Sequence, residues 1–417
     1  MVPVLYFLYP ITMLSKYFKP GLLEKIAAKA GTPVYVYSAP VFLKQVRAYQ
    51  KAFKALDPLF CYAMKANSSR GLCALAAKEG WGADVVSGGE LYRALRAGFK
   101  PGNIIFSGVG KTPEELDYAL KAGILFVNAE SFEEVLELEK AAARLKLRAP
   151  LSLRINPDVD PHTHKFISTG KLGSKFGVSF EEALKIYVYA AESRHLKPVG
   201  AHFHIGSQVH SAGPYALAAG RLAAFMLKLA SRGVNLKYAD VGGGWGVKEG
   251  GEMADPAALA KAVAGVFQGS GFRVILEPGR SVCAPAGLLL GRVIYRKSGG
   301  HKNYIVVDAA MNDLVRPALY GAKHPVALVG AGRGPEKIYD IVGPVCESGD
   351  FLAQGVRLKE PRPGQLLAVY SAGAYGFSMS SQYNSRPRAA EALITGPAAW
   401  RLIRRRETYR DLVAAEK

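Results

Sequence analysis

The chain has 417 residues, 49% hydrophobic and 21% charged, a composition that suits a soluble globular protein with ample material for a core. Its formal net charge of +20 suits plain solubility, and equally the steering of phosphate-bearing or dicarboxylate ligands; no nucleic-acid-binding motif accompanies it. Cys61, Cys73, Cys283 and Cys346 form no CxxC pair and no regular framework, so a disulfide scaffold is not expected and a reducing cytoplasm fits best.

The first thirteen residues, MVPVLYFLYPITM, are apolar but shorter than the roughly 20 residues of a membrane span. No basic residue precedes them, as a signal peptide requires. Residues 1–12 read as an extension, with Met13 an alternative start. No later segment reads as transmembrane. The strand Val34–Tyr37 is expected to join residues 13–40 to a later β domain. From Leu59 onward, short apolar runs alternate with helical patterns. The expected strands are Leu59–Ala63, Ala83–Val86, Asn103–Phe106, Ile124–Asn128, Leu151–Asn156, Val199–Ile205, Tyr238–Gly242 and Arg273–Leu276. Amphipathic stretches such as Ser131–Leu145 and Phe180–Arg194 separate them. Eight such strands predict a (β/α)8 barrel over residues 41–279; a doubly wound sheet shows the same alternation. After Arg280 the strands Gly291–Arg296, Tyr304–Asp308, Ile338–Val342 and Gln365–Tyr370 follow without regular helices, and residues 280–417 are expected to form a mostly β domain. Arg401, Arg404, Arg405 and Arg406 are expected on one face or end of a solvated helix.

Five segments carry chemistry. In Tyr62-Ala63-Met64-Lys65-Ala66-Asn67, Lys65 sits just past a strand, where barrel active sites open. A lysine there can condense with a carbonyl, although by residue type alone it is an ordinary surface group. In Val241-Gly242-Gly243-Gly244-Trp245-Gly246, glycines after a strand let backbone N–H groups approach a phosphate; a tight turn is the alternative. In Glu277-Pro278-Gly279-Arg280, a carboxylate at the eighth strand's end can hold a pyridine nitrogen protonated, or simply pair with arginine. In His202-Phe203-His204-Ile205-Gly206-Ser207-Gln208, two histidines share a face. They can ligate a metal, or one can stack on an aromatic cofactor. No acidic residue follows at a useful spacing, so no metal is expected, and His202 reads equally as a buried structural residue. In Cys346-Glu347-Ser348-Gly349-Asp350, a thiol beside a carboxylate suits proton donation and ammonium recognition, though a lone cysteine is more often a small hydrophobe.

Taken together, YAMKAN, HFHIGSQ, GGGWG, EPGR, MNDLVRPALY, CESGD and AGAYGFSMSSQYN, in order from about Thr32 to about Arg388, resemble the pyridoxal-phosphate-dependent decarboxylases with an alanine-racemase-like barrel. Within that group HTHKFISTGKLGSKFG (His162–Gly177) and CESGD resemble the diaminopimelate decarboxylase family. The resemblance implies pyridoxal 5'-phosphate as cofactor, decarboxylation of meso-2,6-diaminopimelate to L-lysine and CO2, and a homodimer with shared active sites. It implies that Lys65 is the Schiff-base lysine, His204 packs on the cofactor ring and Glu277 partners the pyridine nitrogen. Ser207, Gly243, Gly279 and Arg280 match phosphate-side positions. Asp84, Glu90 and Arg154 match supporting positions around the cofactor. Arg280, Arg316 and Tyr320 match contacts to the substrate carboxylate, Cys346 a proton donor, Glu347 an ammonium contact, and Tyr375 a residue touching cofactor and substrate. Met64, Gln382 and Lys323 depart from the expected types without removing a functional group. Three alternatives stay open: a racemase on the same barrel, against which Glu277 argues; a decarboxylase of another basic amino acid or a carboxylated polyamine; and a non-catalytic binding homologue.

Overall fold

The computed structural model describes residues 16–160, 175–248 and 253–417. The chain divides into two compact units. One comprises Gln45–Gly246 and Ala254–Ser281; the other comprises the chain up to Lys44, Val282–Lys417 and a short stretch from Val247 to Met253.

Strand β1 (Val34–Ser38) belongs to the second unit, and every residue of it is buried. The first unit is a closed barrel of eight parallel strands. These are β2 (Leu59–Ala63), β3 (Gly82–Val85), β4 (Ile104–Phe106), β5 (Phe126–Ala129), β6 (Ala149–Arg154), β7 (Leu196–His202), β8 (Tyr238–Asp240) and β9 (Arg273–Leu276). The expected barrel is thus the observed fold. The two-residue alternation of β2 explains its two-sided burial. Leu59 and Cys61 pack with Ile105, Phe126, Tyr238 and Ile275 in one cluster. Phe60 instead stacks on Trp81 and meets Tyr49 and Phe53 edge to face.

Between strands, short polar caps start the helices. Thr112 and Glu115 form a reciprocal capping box at Pro113–Ala122, and Ser131 accepts from Glu134 N at Phe132–Arg144. Left-handed Gly98 and Gly123 end two of the helices. The short caps keep each strand's C-terminal end, and the residue that follows it, on one rim of the barrel.

The second unit is a mostly antiparallel sheet. Its later strands are β10 (Gly287–Ser298), β11 (Asn303–Val307), β12 (Val326–Leu328), β13 (Arg333–Val342), β14 (Phe351–Glu360), β15 (Leu366–Val369), β16 (Ala390–Ile394) and β17 (Trp400–Arg404). The order is β14-β13-β11-β10-β1-β16-β17, with β15 joining β10 to β12. β1 lies between antiparallel β10 and parallel β16. Val34, Val36, Leu288, Leu290, Ala390 and Ala392 form its core with the helix Pro20–Ala30, whose Leu22, Leu23 and Ile26 face inward.

One expectation fails here. The C-terminal arginines are not on a helix: Arg401 and Arg404 lie on β17, antiparallel to β16. Pairing with β16 outweighs helix propensity, because Glu391 on β16 offers Arg404 a buried carboxylate. Arg405 and Arg406 follow the strand; Arg405 binds Asp411, and Arg406 donates to the backbone oxygens of Ala30 and Pro33.

Candidate active site

Lys65 lies in the tight turn Met64–Ala66 directly after β2. Its ammonium donates to Asp84 Oδ2 at 2.5 Å, from the end of the neighbouring β3. The Lys65 side chain keeps 31% exposure, whereas that of Asp84 has none. Burial and the negative charge of Glu277 push the Asp84 carboxyl upward, and Lys65 offsets part of the rise. Glu90 caps the same corner by accepting from Val86 N, and burial raises it to about 7. Arg154, closing β6, pairs with buried Glu130 at 3.2 Å and lies over the Phe176 ring. Glu130 also accepts from Gly108 and Gly177 N–H groups, so Arg154 is held in a fixed frame.

Three strand ends place the central group. His202 closes β7, Asp240 closes β8, and Glu277 follows β9. His202 Nε2 stands 3.2 Å from Glu277 Oε1, with both side chains 1% exposed. Burial alone raises Glu277, but His202, with Lys65, more than offsets this and holds the carboxyl well below its usual range. Burial lowers His202, yet Glu277 and Asp240 outweigh it and the net direction is up. Asp240 is pushed well up by burial and by Glu277. One ligand-capable atom from each of His202, Asp240 and Glu277 lies within 4.8 Å of the others.

His204 is different. Gly243 N–H donates to its Nδ1 at 3.1 Å, which leaves the ring proton on Nε2. Burial, Arg154 and Lys65 hold its pKa well below the ordinary value, so the imidazole is neutral. The glycine run therefore spends two N–H groups inside the protein, Gly242 on Asp240 Oδ1 and Gly243 on His204. What the missing side chains permit is close approach of the protein's own backbone. A Cβ on Gly243 would lie 2.1 Å from Glu277 O, and Gly242 and Gly244 hold φ of +66° and +97°. Arg280 donates through Nε and Nη2 to Ser207 Oγ at 3.2 and 3.1 Å, and Gly279 packs on Ala63 so closely that its Cβ would stand 2.9 Å from that residue's.

The remaining expected site residues belong to the sheet unit. Arg316 and Tyr320 bound the short helix Arg316–Tyr320. Arg316 Nη1 meets His324 Nε2 at 3.1 Å, and His324 Nδ1 meets the Tyr370 carbonyl at 3.0 Å. A guanidinium only donates and a carbonyl only accepts, so His324 is neutral with its proton on Nδ1. Cys346 is exposed. Its N–H donates to Asn384 Oδ1, while Tyr383 O–H donates to Glu347 Oε2. Asp350 pins the loop by accepting from Met311 N and Val345 N. Tyr375 holds a φ of +54°, an uncommon conformation that marks functional turns.

Reading the sequence missed Asp240 and His324 and left His202 undecided. Asp240 carried a partial signal, because it lies inside the expected strand Tyr238–Gly242 just before the glycine run. His324 carried none. The segment His162–Gly177 lies outside the described residues up to 174, as do residues 1–12 and Met13.

A parallel barrel with a lysine and ionisable groups at its strand ends is the architecture of a cofactor-dependent enzyme. Residues 41–284 match the family described as pyridoxal-dependent decarboxylase, pyridoxal binding domain. The chain is 46% identical to diaminopimelate decarboxylase of Aquifex aeolicus, over 94% of this chain and 93% of that protein. It is also 46% identical to the enzyme of that name from Pseudomonas aeruginosa (strain PAO1), over 96% and 97%. The crystal structure of diaminopimelate decarboxylase from Helicobacter pylori complexed with L-lysine aligns with a TM-score of 0.91 and 42% identity, covering 94% of this chain and 99% of that one. The chain belongs to the diaminopimelate decarboxylase family of pyridoxal-dependent decarboxylases.

Proposed function

We propose that this protein decarboxylates meso-2,6-diaminopimelate to L-lysine and CO2, the last step of lysine biosynthesis, using pyridoxal 5'-phosphate. The observation that carries this reading is Glu277, a buried carboxylate kept ionised at the barrel's strand ends. An ionised carboxylate there suits a protonated pyridine nitrogen, which favours decarboxylation over racemisation. The residues present fit the cofactor. Lys65 supplies a primary amine, and Glu277 supplies a buried carboxylate whose Oε1 faces His202 at 3.2 Å.

When bound, the cofactor supplies a sink for the electron pair left as CO2 departs. Lys65 attaches it, and Asp84 holds the Lys65 amine in position. Neutral His204 presents its ring face, fixed by Gly243. Ser207, Gly243, Gly279 and Arg280 form the phosphate side, and Arg154 supports the frame. Arg280, Arg316 and Tyr320 take the substrate's distal carboxylate, where planar guanidinium groups suit bidentate contacts. Glu347 takes the distal ammonium, and Tyr375 contacts cofactor and substrate. Cys346 Sγ delivers a proton to the α-carbon. Purified protein should release CO2 and lysine from meso-diaminopimelate, and far less from ornithine, arginine or carboxynorspermidine. Preference for one of the latter would overturn the substrate assignment, and a colourless protein without bound cofactor would revive a binding-only role.

The working unit is proposed to be a homodimer in which the loop Cys346–Asp350 serves the neighbouring copy's site. Its support is the family resemblance and the loop's exposed cysteine. Inactive Lys65→Ala and Cys346→Ala proteins, mixed under subunit exchange, should regain about one quarter of wild-type activity, because half the pairs are mixed and each has one intact site. Exchange without recovered activity would rule the shared site out. The proposed location is the cytoplasm. Cys61 and Cys346 are free thiols, and among the described residues no helix is long and apolar enough to cross a membrane. Activity recovered only from the membrane or periplasmic fraction of cells would contradict it.

A further inference from the structure

The pyridine-nitrogen role of Glu277 leaves one question open: what keeps a carboxylate ionised at 2% exposure? Removal from water favours the neutral acid, so the site must supply a counter-charge. Strand register provides it. Cα pairing sets His202 of β7 opposite Asp240 of β8, and Asp240 opposite Ile275, two residues before Glu277. His202 Nε2 thereby comes to 3.2 Å from Glu277 Oε1, and among the described residues neither ring nitrogen of His202 has a well-aligned hydrogen-bond partner. An ion pair with Glu277 is thus the short-range polar contact that holds the ring.

The surrounding charges select the protonation states. Glu277 and Asp240 face His202, with Arg154 opposing them. Lys65 also acts on Glu277, from which neutral His204 stands 3.9 Å away, and Asp84 acts on Asp240. Glu277 stands 3.2 Å from His202, burial and Glu277 push Asp240 toward the neutral acid, and the two acids together favour the charged imidazole over the neutral one. Asp240 is itself fixed, accepting from Gly242 N–H at 3.0 Å.

We propose that His202 is a positioning residue: as an imidazolium behind Glu277, it keeps that carboxylate ionised and so drives the proton shared between Glu277 and the cofactor's ring nitrogen onto the nitrogen. The inference rests on Glu277 being the nitrogen's partner. A positive charge behind the carboxylate lowers its proton affinity more than that of the more distant ring, so the proton moves outward. His204, two residues on, cannot do this, because Gly243 holds it neutral.

The test uses holoenzyme reconstituted with cofactor labelled with 15N at the ring nitrogen. In wild type the nitrogen resonance should sit at the protonated position. In His202→Gln it should move toward the unprotonated position, with kcat falling about 10–100-fold, the range met when an outer-shell partner is removed, and KM changing less than about 3-fold. An unmoved resonance, or a loss confined to KM, would overturn the proposal. A second measurement needs no variant to fold: in wild-type holoenzyme labelled with 13C at histidine Cε1, the His202 signal should hold the imidazolium position from about pH 6 to about pH 8. A His202 signal that titrates in that range would sink the idea, as would one equivalent of metal bound by His202, Asp240 and Glu277. Glu277→Gln separates the two readings. If it too leaves the nitrogen resonance unmoved, the partner assignment fails; if it moves the resonance while His202→Gln does not, only the role of His202 falls.

Discussion

Two buried glutamates, one in each unit, show how differently the same side chain can be used. Glu391 of the sheet unit is 1% exposed and both its oxygens are engaged. Tyr37 on β1 donates to Oε1 at 2.8 Å, and Arg404 on β17 donates to Oε2. Its partners come from the two strands that flank β16, so forming the sheet satisfies the charge. Glu277 of the barrel unit is 2% exposed. It has His202 at 3.2 Å without good hydrogen-bond alignment, and His204 at 3.9 Å. Folding satisfies Glu391 with permanent partners and leaves Glu277 with capacity for a ligand. A buried charge with unused capacity beside shifted neighbours marks function, whereas a saturated one marks structure.

That contrast breaks most sharply at Glu277. Glu277→Gln should lower kcat of the cofactor-loaded protein by about 10²–10³-fold while cofactor content stays close to wild type. Steady-state kinetics beside cofactor absorbance decide it, and unchanged turnover would place Glu277 with the structural carboxylates. Glu391→Ala should do the reverse. It strands the Arg404 guanidinium and the Tyr37 hydroxyl, and should cost about 2–3 kcal/mol, below the usual cost of breaking a fully buried pair because Arg404 is partly exposed. The urea midpoint should fall while kcat of the folded fraction holds; a kcat loss with an unmoved midpoint would reverse the two roles.

The smallest effect belongs to a carboxylate between these extremes. Asp313 of the sheet unit accepts from Ala310 N through Oδ2, while Oδ1 has no hydrogen-bond partner among the described residues. Burial raises its pKa to about 7. Because the folded state holds this proton more tightly than the unfolded chain, the stabilisation is complete below the ordinary aspartate range. It is lost as pH rises through about 7. Asp313→Asn, which mimics the neutral acid, should flatten stability between about pH 4 and about pH 7, by about 1–2 kcal/mol after relaxation. An unchanged slope would mean that Asp313 ionises freely despite its burial.

Much of the barrel was legible because parallel strands buried on both faces leave dense apolar runs. Leu59–Ala63 and Arg273–Leu276 are strands with the expected bounds, and the other six differ by a few residues at the ends. The sheet unit was less legible. Phe351–Glu360 carries Gly355, Arg357 and Lys359 on a half-exposed strand, so no clean alternation announces it. Trp400–Arg404 reads as a basic surface until Glu391 is placed beside it. Lys65 and Glu277 stood out because each follows a strand inside a distinctive segment. Asp240 did not, because its importance comes from register with His202.

By itself, then, the sequence determined the alternation that closes the barrel, the strand ends that precede Lys65 and Glu277, and the glycines that follow β8. It could not determine how three acidic side chains of similar intrinsic strength would ionise. Asp84 and Asp240 are pushed toward the neutral acid and Glu277 toward the carboxylate. All three are buried, and burial raises each of them. The sign is decided by which charge stands within a few ångströms, a distance set by strand register and barrel closure. Local sequence does not encode that distance, because Coulomb energy depends on separation in space, and His202 lies 75 positions before Glu277 along the chain yet 3.2 Å from it in the fold.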